Sequence, residues 1–168
     1  PGLLEEGRFD DQRIVEAWRS DDVRNSLADH SRMAGAALVM GIEAHVVSPF
    51  DLKAYNSVAF VRPDLGYVGR YDKMHRVIFG EYIPLKNVFP WLSNLTPFGP
   101  NYGIAAGTRE KMFEYAGYQI APLICFEDTV PQVVRRIARQ RTAEGRGPDL
   151  LVNLTNDAWF RGSSELDQ

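Results

Sequence analysis

The stretch Tyr118-Gln119-Ile120-Ala121-Pro122-Leu123-Ile124-Cys125-Phe126-Glu127-Asp128 is an apolar run that ends on the only cysteine in the chain, followed at once by an acidic pair. It has the length of a strand and lacks the polar alternation of a half-exposed one, so it reads as a strand buried on both faces. Pro131 suits the first turn of a following helix. A thiol between the end of a buried strand and the start of a helix meets the partial positive charge of the helix N-terminus, which favours the thiolate. Cys125 also has a plainer reading, as a small hydrophobe that finishes a core strand. The rest of the chain has to decide between the two.

Upstream, Lys111 to Tyr115 and a turn at Ala116-Gly117 make a hairpin with this run. Downstream, Pro131 to Arg141 reads as a helix with Val133, Val134, Ile137 and Ala138 on its apolar side and its arginines in solvent. Gly145-Arg146-Gly147-Pro148 breaks the chain. Asp149 to Thr155 is then a second buried strand, which delivers Asn156-Asp157-Ala158-Trp159-Phe160 to a loop. Nearer the start, Ile14, Val15 and Trp18 mark a short helix. Ser20 or Asp21 caps a second one, with Val23, Leu27 and Ala34 at helical spacing, ended by Gly35. Ala36 to Ile42 reads as a strand buried on both faces. Asn56 to Arg62, a turn at Pro63-Asp64-Leu65-Gly66 and Tyr67 to Tyr71 form another hairpin. Residues 76–108 are dense in Pro, Gly, Asn and aromatics, the composition of a functional loop region. Strand pairs mixed with helices, and buried strands without alternation, predict a layered α/β arrangement.

Composition narrows the function classes. The 168 residues suffice for one domain with a real core, and 45% hydrophobic with 24% charged residues is ordinary for a globular protein. A net charge of −3 and the absence of a basic, aromatic-interleaved stripe argue against nucleic acid. One cysteine cannot form an intrachain disulfide. No apolar run approaches the roughly 20 residues that span a bilayer. His45 and His75 share no ligand spacing with Cys125, so no metal is expected, and no cofactor.

Three segments stand just after strands, where α/β folds concentrate chemistry. They are Lys73 with Glu81, Cys125 with Glu127, and Asn156-Asp157 with Trp159. A thiolate that attacks a carbonyl needs a proton acceptor and a group to hold the oxyanion. Glu81 could be or orient the base, and Lys73 could stabilise both thiolate and oxyanion. Each has a bland alternative, a solvated surface charge, and spacing alone does not bring Lys73, Glu81 and Cys125 together.

Tyr71-Asp72-Lys73-Met74-His75, followed by Phe79-Gly80-Glu81-Tyr82-Ile83-Pro84, resembles the lysine motif of the nitrilase (carbon–nitrogen hydrolase) superfamily, in the version found in bacterial apolipoprotein N-acyltransferases. Ile124-Cys125-Phe126-Glu127 is similar to the family's nucleophile motif. Asn153-Leu154-Thr155-Asn156-Asp157-Ala158-Trp159-Phe160 resembles its next strand and loop. Val39-Met40-Gly41-Ile42 and Tyr55-Asn56-Ser57 fit the same pattern. The three motifs stand in family order, from about residue 36 to the end.

The resemblance implies an α-β-β-α sandwich with Cys125 as nucleophile and Lys73 as the oxyanion-stabilising lysine of a Glu-Lys-Cys triad. Glu81 would position the lysine and the cysteine. Glu127 would support the site from two residues past the nucleophile. Phe126 stands where the acyltransferases often carry Tyr, and its backbone N–H could still serve the oxyanion. Tyr82, Asn156 and Trp159 would contact substrate. The family's general-base glutamate closes a first strand in a Trp-Pro-Glu type motif, which this chain lacks. Glu5 and Glu6 have no apolar strand before them, and Glu43 follows what reads as the second strand. The base is therefore expected upstream of Pro1. Residues 1–168 are expected to be part of a single catalytic domain, without its first strand and C-terminal part, and inactive alone.

The implied activity moves an acyl chain from a phospholipid, through a Cys125 thioester, to the N-terminal cysteine of an apolipoprotein. The intact protein would sit at the periplasmic face of the bacterial inner membrane. A nitrilase-type amidase, in which water resolves the same acyl-enzyme, is the alternative, and a non-catalytic binding domain is the third.

Overall fold

The computed structural model describes residues 21–47, 52–78, 80–85, 88–89, 91–92 and 103–155. The expected helix around Ile14, Val15 and Trp18 lies outside these residues, as do Asn156 and Trp159.

Helix α1, Asp22–Ala34, stops at Gly35, whose φ of 62° is the left-handed geometry that glycine adopts without strain. Asp21 precedes the helix without capping it; its carboxylate accepts from Arg24 instead, at 3.2 Å. The buried face is Ala28 and Ser31, not the expected Val23, Leu27 and Ala34, and Val23 is 65% exposed. Small residues are selected there because the helix lies against β2 and β3 (defined below). A Cβ on Gly66 would come within 3.5 Å of Ala28 Cβ. Ser31 satisfies its hydroxyl on the Ala36 carbonyl, at 2.7 Å.

Strands β1 (Leu38–Val47), β2 (Leu52–Arg62) and β3 (Gly66–Asp72) form an antiparallel sheet in that order, with the expected turn over Pro63, Asp64 and Leu65. β1 runs well past Ile42, and it is not buried on both faces. Gly41, Glu43 and His45 are exposed while Ala44 is buried, the alternation of an antiparallel strand covered on one face. β2 is the central strand, and Ser57, Val58, Ala59, Phe60 and Val61 are all buried.

Strands β4 (Phe113–Tyr115), β5 (Tyr118–Ile124) and β6 (Leu150–Leu154) form the second sheet, antiparallel between β4 and β5 and parallel between β5 and β6. The β4–β5 turn places Ala116 and Gly117 at φ 50° and 84°, the double positive φ that fits a tight hairpin. Helix α2, Pro131–Ala138, lies on the parallel crossover and buries Ile137. It ends earlier than Arg141, and Ala138 is exposed. β5 is buried from Ala121 to Ile124, as its composition predicts, because it meets β2 across the sandwich as well as α2, while Tyr118 at its start is exposed. β6 departs from expectation. Leu150 and Leu151 are 51% and 41% exposed, since β6 is the outer strand of its sheet among the described residues.

The two sheets close on a shared core of Val58, Phe60 and Tyr71 from one, with Phe113, Ala121, Leu123 and Ile124 from the other. The Phe60 and Phe113 rings stack with centroids 4.7 Å apart. This core brings the end of β3, which carries Lys73, to the end of β5, which carries Cys125.

Candidate active site

Lys73 follows β3 directly, and its backbone is pinned on both sides. Its N–H donates to Asn56 O at 2.9 Å, and its carbonyl accepts from Gly107 N at 2.7 Å. Gly107 has to be glycine, because a Cβ there would stand 2.0 Å from the Asp72 carbonyl oxygen. The Lys73 side chain is 1% exposed, and its Nζ donates to Glu81 Oε1 at 2.7 Å. A buried ammonium is tolerable only with such a partner. Glu81 is itself fixed. Its other oxygen accepts from Val77 N at 2.8 Å, and its own N–H closes back on Val77 O at 2.8 Å. The direction of the lysine side chain is thus fixed by a turn that follows it in the chain.

Cys125 stands one residue past β5, half-buried, with φ at 52°. A non-glycine residue at positive φ is strained and persists only where its surroundings hold it. Such a kink turns the side chain out of the strand's alternation at the moment the chain enters the 3-10 turn Cys125–Thr129. Phe126 points outward, with 57% of its surface exposed.

Glu127 joins the two segments. It is fully buried, and its carboxylate accepts four hydrogen bonds. Oε1 takes the backbone N–H of Met74 at 2.7 Å and of His75 at 2.9 Å. Oε2 takes Ile124 N at 3.0 Å and the Tyr71 hydroxyl at 2.8 Å. One carboxylate therefore ties the residue before the cysteine to the two residues after the lysine. Burial pushes the Tyr71 hydroxyl far above its ordinary pKa, and the Glu127 charge adds to the effect, so Tyr71 stays a neutral donor.

Of the residues singled out from sequence, Lys73 and Glu81 are in direct contact, and Glu127 links their segment to that of Cys125. Tyr82 lies beside them, its ring 4.2 Å under the Arg76 guanidinium, while Arg76 also donates to Ile104 O at 2.9 Å. Tyr71 and Asn153 stand inside the motifs quoted from sequence but were given no role there, and Gly107 was not singled out. Asn153 had a usable signal, a polar residue inside the apolar run Leu150 to Leu154, and its side chain donates to Cys125 O at 3.1 Å and Asp128 Oδ2 at 2.7 Å. Gly107 had none, and the pairing of Tyr71 with Glu127 had none either, because the partners lie tens of residues away. Among the described residues, no cluster of His, Cys, Asp and Glu has the form of a metal site. No helix among them is long and apolar enough to cross a membrane.

The sandwich and its strand-end turn define a nitrilase-type α/β fold. An amidase from Nesterenkonia sp., of the nitrilase superfamily, superposes with a TM-score of 0.53 at 19% identity, over 83% of this chain and 43% of its own. The carbon-nitrogen hydrolase family model matches residues 6–168, and the chain belongs to that family. Two relatives are named apolipoprotein N-acyltransferase. The one from Geobacter metallireducens is 38% identical over 144 residues, 80% of this chain and 25% of the relative. The one from Rhodopirellula baltica is 35% identical over 115 residues, 67% of this chain and 20% of the relative. The chain thus spans between 20% and 25% of the length of these relatives.

Proposed function

We propose that these residues are part of the catalytic domain of an apolipoprotein N-acyltransferase at the periplasmic face of the inner membrane, with Cys125 as nucleophile. The observation that carries this reading is the buried Lys73–Glu81 ion pair, clamped through Glu127 to the turn that presents the only thiol. The Cys125 thiolate attacks the carbonyl carbon of a phospholipid ester, and the C=O electron pair moves onto oxygen. The Lys73 ammonium and the Phe126 N–H hold that oxyanion. Its collapse expels the glycerol alkoxide, which takes the proton first removed from the thiol and leaves as a lysophospholipid. The α-amino group of a lipoprotein's N-terminal cysteine then attacks the thioester. The general-base carboxylate takes one proton from the attacking nitrogen, and collapse returns the thiolate and leaves an amide.

Glu81 acts as a positioning carboxylate, since both its oxygens are engaged, by Lys73 and by Val77 N. The proton of the thiol passes to a separate general-base carboxylate, as the family resemblance implies. The names of the relatives and the exposed apolar residues that follow Lys73 in the chain favour a lipid substrate over a small amide. Ile78, Leu85, Val88, Phe89 and Trp91 are all more than 45% exposed among the described residues.

The test is a product assay on the intact protein with phospholipid and a diacylated lipopeptide. Acylated lipopeptide is expected, with a loss of at least about a hundredfold in the Lys73→Ala variant, the scale of one lost oxyanion donor. Ammonia from a small amide, with no acylated lipopeptide, would establish the amidase instead.

A further inference from the structure

We infer that Asn153 is a positioning residue for the reaction, acting on the peptide unit that joins Cys125 to Phe126. The inference rests on the reading of Cys125 as nucleophile. Asn153 lies in β6, level with Leu123 of the parallel strand β5, so its side chain reaches past the end of β5 to the turn. Its amide nitrogen has two hydrogens and serves two acceptors there, Cys125 O at 3.1 Å and Asp128 Oδ2 at 2.7 Å. Both acceptors belong to the one turn that begins at a strained residue, Cys125 with φ 52°.

The consequence follows from peptide planarity. The Cys125 carbonyl and the Phe126 N–H share one rigid plane and point in opposite directions. A donor that fixes where the carbonyl points therefore fixes where the N–H points. That N–H is the backbone donor assigned to the oxyanion. Asn153 thus aims an oxyanion donor without touching substrate. Its contacts lie at the surface of the described residues, where water could satisfy each group, so the bonds contribute direction more than stability.

This separates two reactions of the same thiol. Alkylation by iodoacetamide displaces iodide at a saturated carbon and forms no oxyanion, so it reports the thiolate alone. Acylation by an activated ester passes through an oxyanion. In the intact protein, Asn153→Ala is expected to lower the acylation rate about tenfold to a hundredfold, a fraction of what a lost donor costs. KM, the alkylation rate and its pH profile are expected to stay as in the parent. The pair Asn153→Asp with Asp128→Asn is the second variant. It restores a hydrogen bond between positions 153 and 128 with donor and acceptor exchanged, but offers Cys125 O no donor, and should be as impaired in acylation as Asn153→Ala. Acylation at the parental rate in the paired variant, or alkylation falling in step with acylation, overturns the inference. Cys125→Ala reports on the underlying reading. If it retains acyl transfer, the nucleophile is misassigned; if it loses transfer while the Asn153 variants keep it, only the role of Asn153 fails.

Discussion

Glu127 accepts four hydrogen bonds in a fully buried position, two on each oxygen. Glu127→Gln keeps one oxygen and turns an NH2 group towards two donors, so it strands both. The expected cost is more than about 3 kcal/mol in denaturant unfolding, because buried unsatisfied groups are charged their full desolvation. Tyr71→Phe removes a single donor and leaves the shape intact, for an expected loss of about 1 kcal/mol. That loss carries a pH signature. The folded-state pKa of Tyr71 is raised from its ordinary 10.0, so the unfolded chain releases this proton first. Stability from Tyr71 is thus fully present below pH 10 and is lost as pH rises above it. The advantage of the parent over Tyr71→Phe should be constant between pH 7 and 9 and be gone by about pH 11. A difference that stays constant to pH 11 would mean that Tyr71 ionises as freely folded as unfolded.

The turn after β5 matters for its backbone as much as for its side chains. Cys125 holds φ 52°. Glycine adopts that geometry without strain, and alanine pays about 1–2 kcal/mol for it. Cys125→Gly should therefore be more stable than Cys125→Ala by about 1 kcal/mol, the reverse of their order inside a helix. Equal stabilities would place Cys125 in an ordinary conformation. Elements of this kind differ in how far sequence reveals them. The turns at Pro63 to Gly66 and at Ala116-Gly117, and the continuous apolar run of β5, were legible because their causes are local. The positive φ of Cys125 was not, since nothing in Ile124-Cys125-Phe126 requires it; it is held by Glu127 on one side and by Asn153 from another strand. The buried face of α1 was misjudged for a related reason. Apolarity pointed to Val23, whereas close approach to β3 selects Ala28 and Ser31.

For the molecule as a whole, the decisive contact is the one between the two sheets. Lys73 and Cys125 stand at the ends of strands in different sheets, and no spacing rule relates them. Family order suggested that they belong together, and the physical link is Glu127, donated to from both segments. Layered α/β architecture was likewise readable from the mixture of strand pairs and helices, while the exposure of Leu150 and Leu151 was not, because β6 has the composition of a buried strand and an outer place in its sheet among the described residues. The central claim is that this arrangement makes Cys125 an acyl carrier. The direct measurement is peptide-mapped mass spectrometry of the intact protein after incubation with phospholipid in the absence of acceptor. A fatty-acyl mass on the peptide containing Cys125, removed by neutral hydroxylamine and absent in Cys125→Ala and Lys73→Ala, is the predicted result. A protein that transfers acyl chains with Cys125 unmodified, or that takes up acyl groups equally well without Lys73, would contradict it.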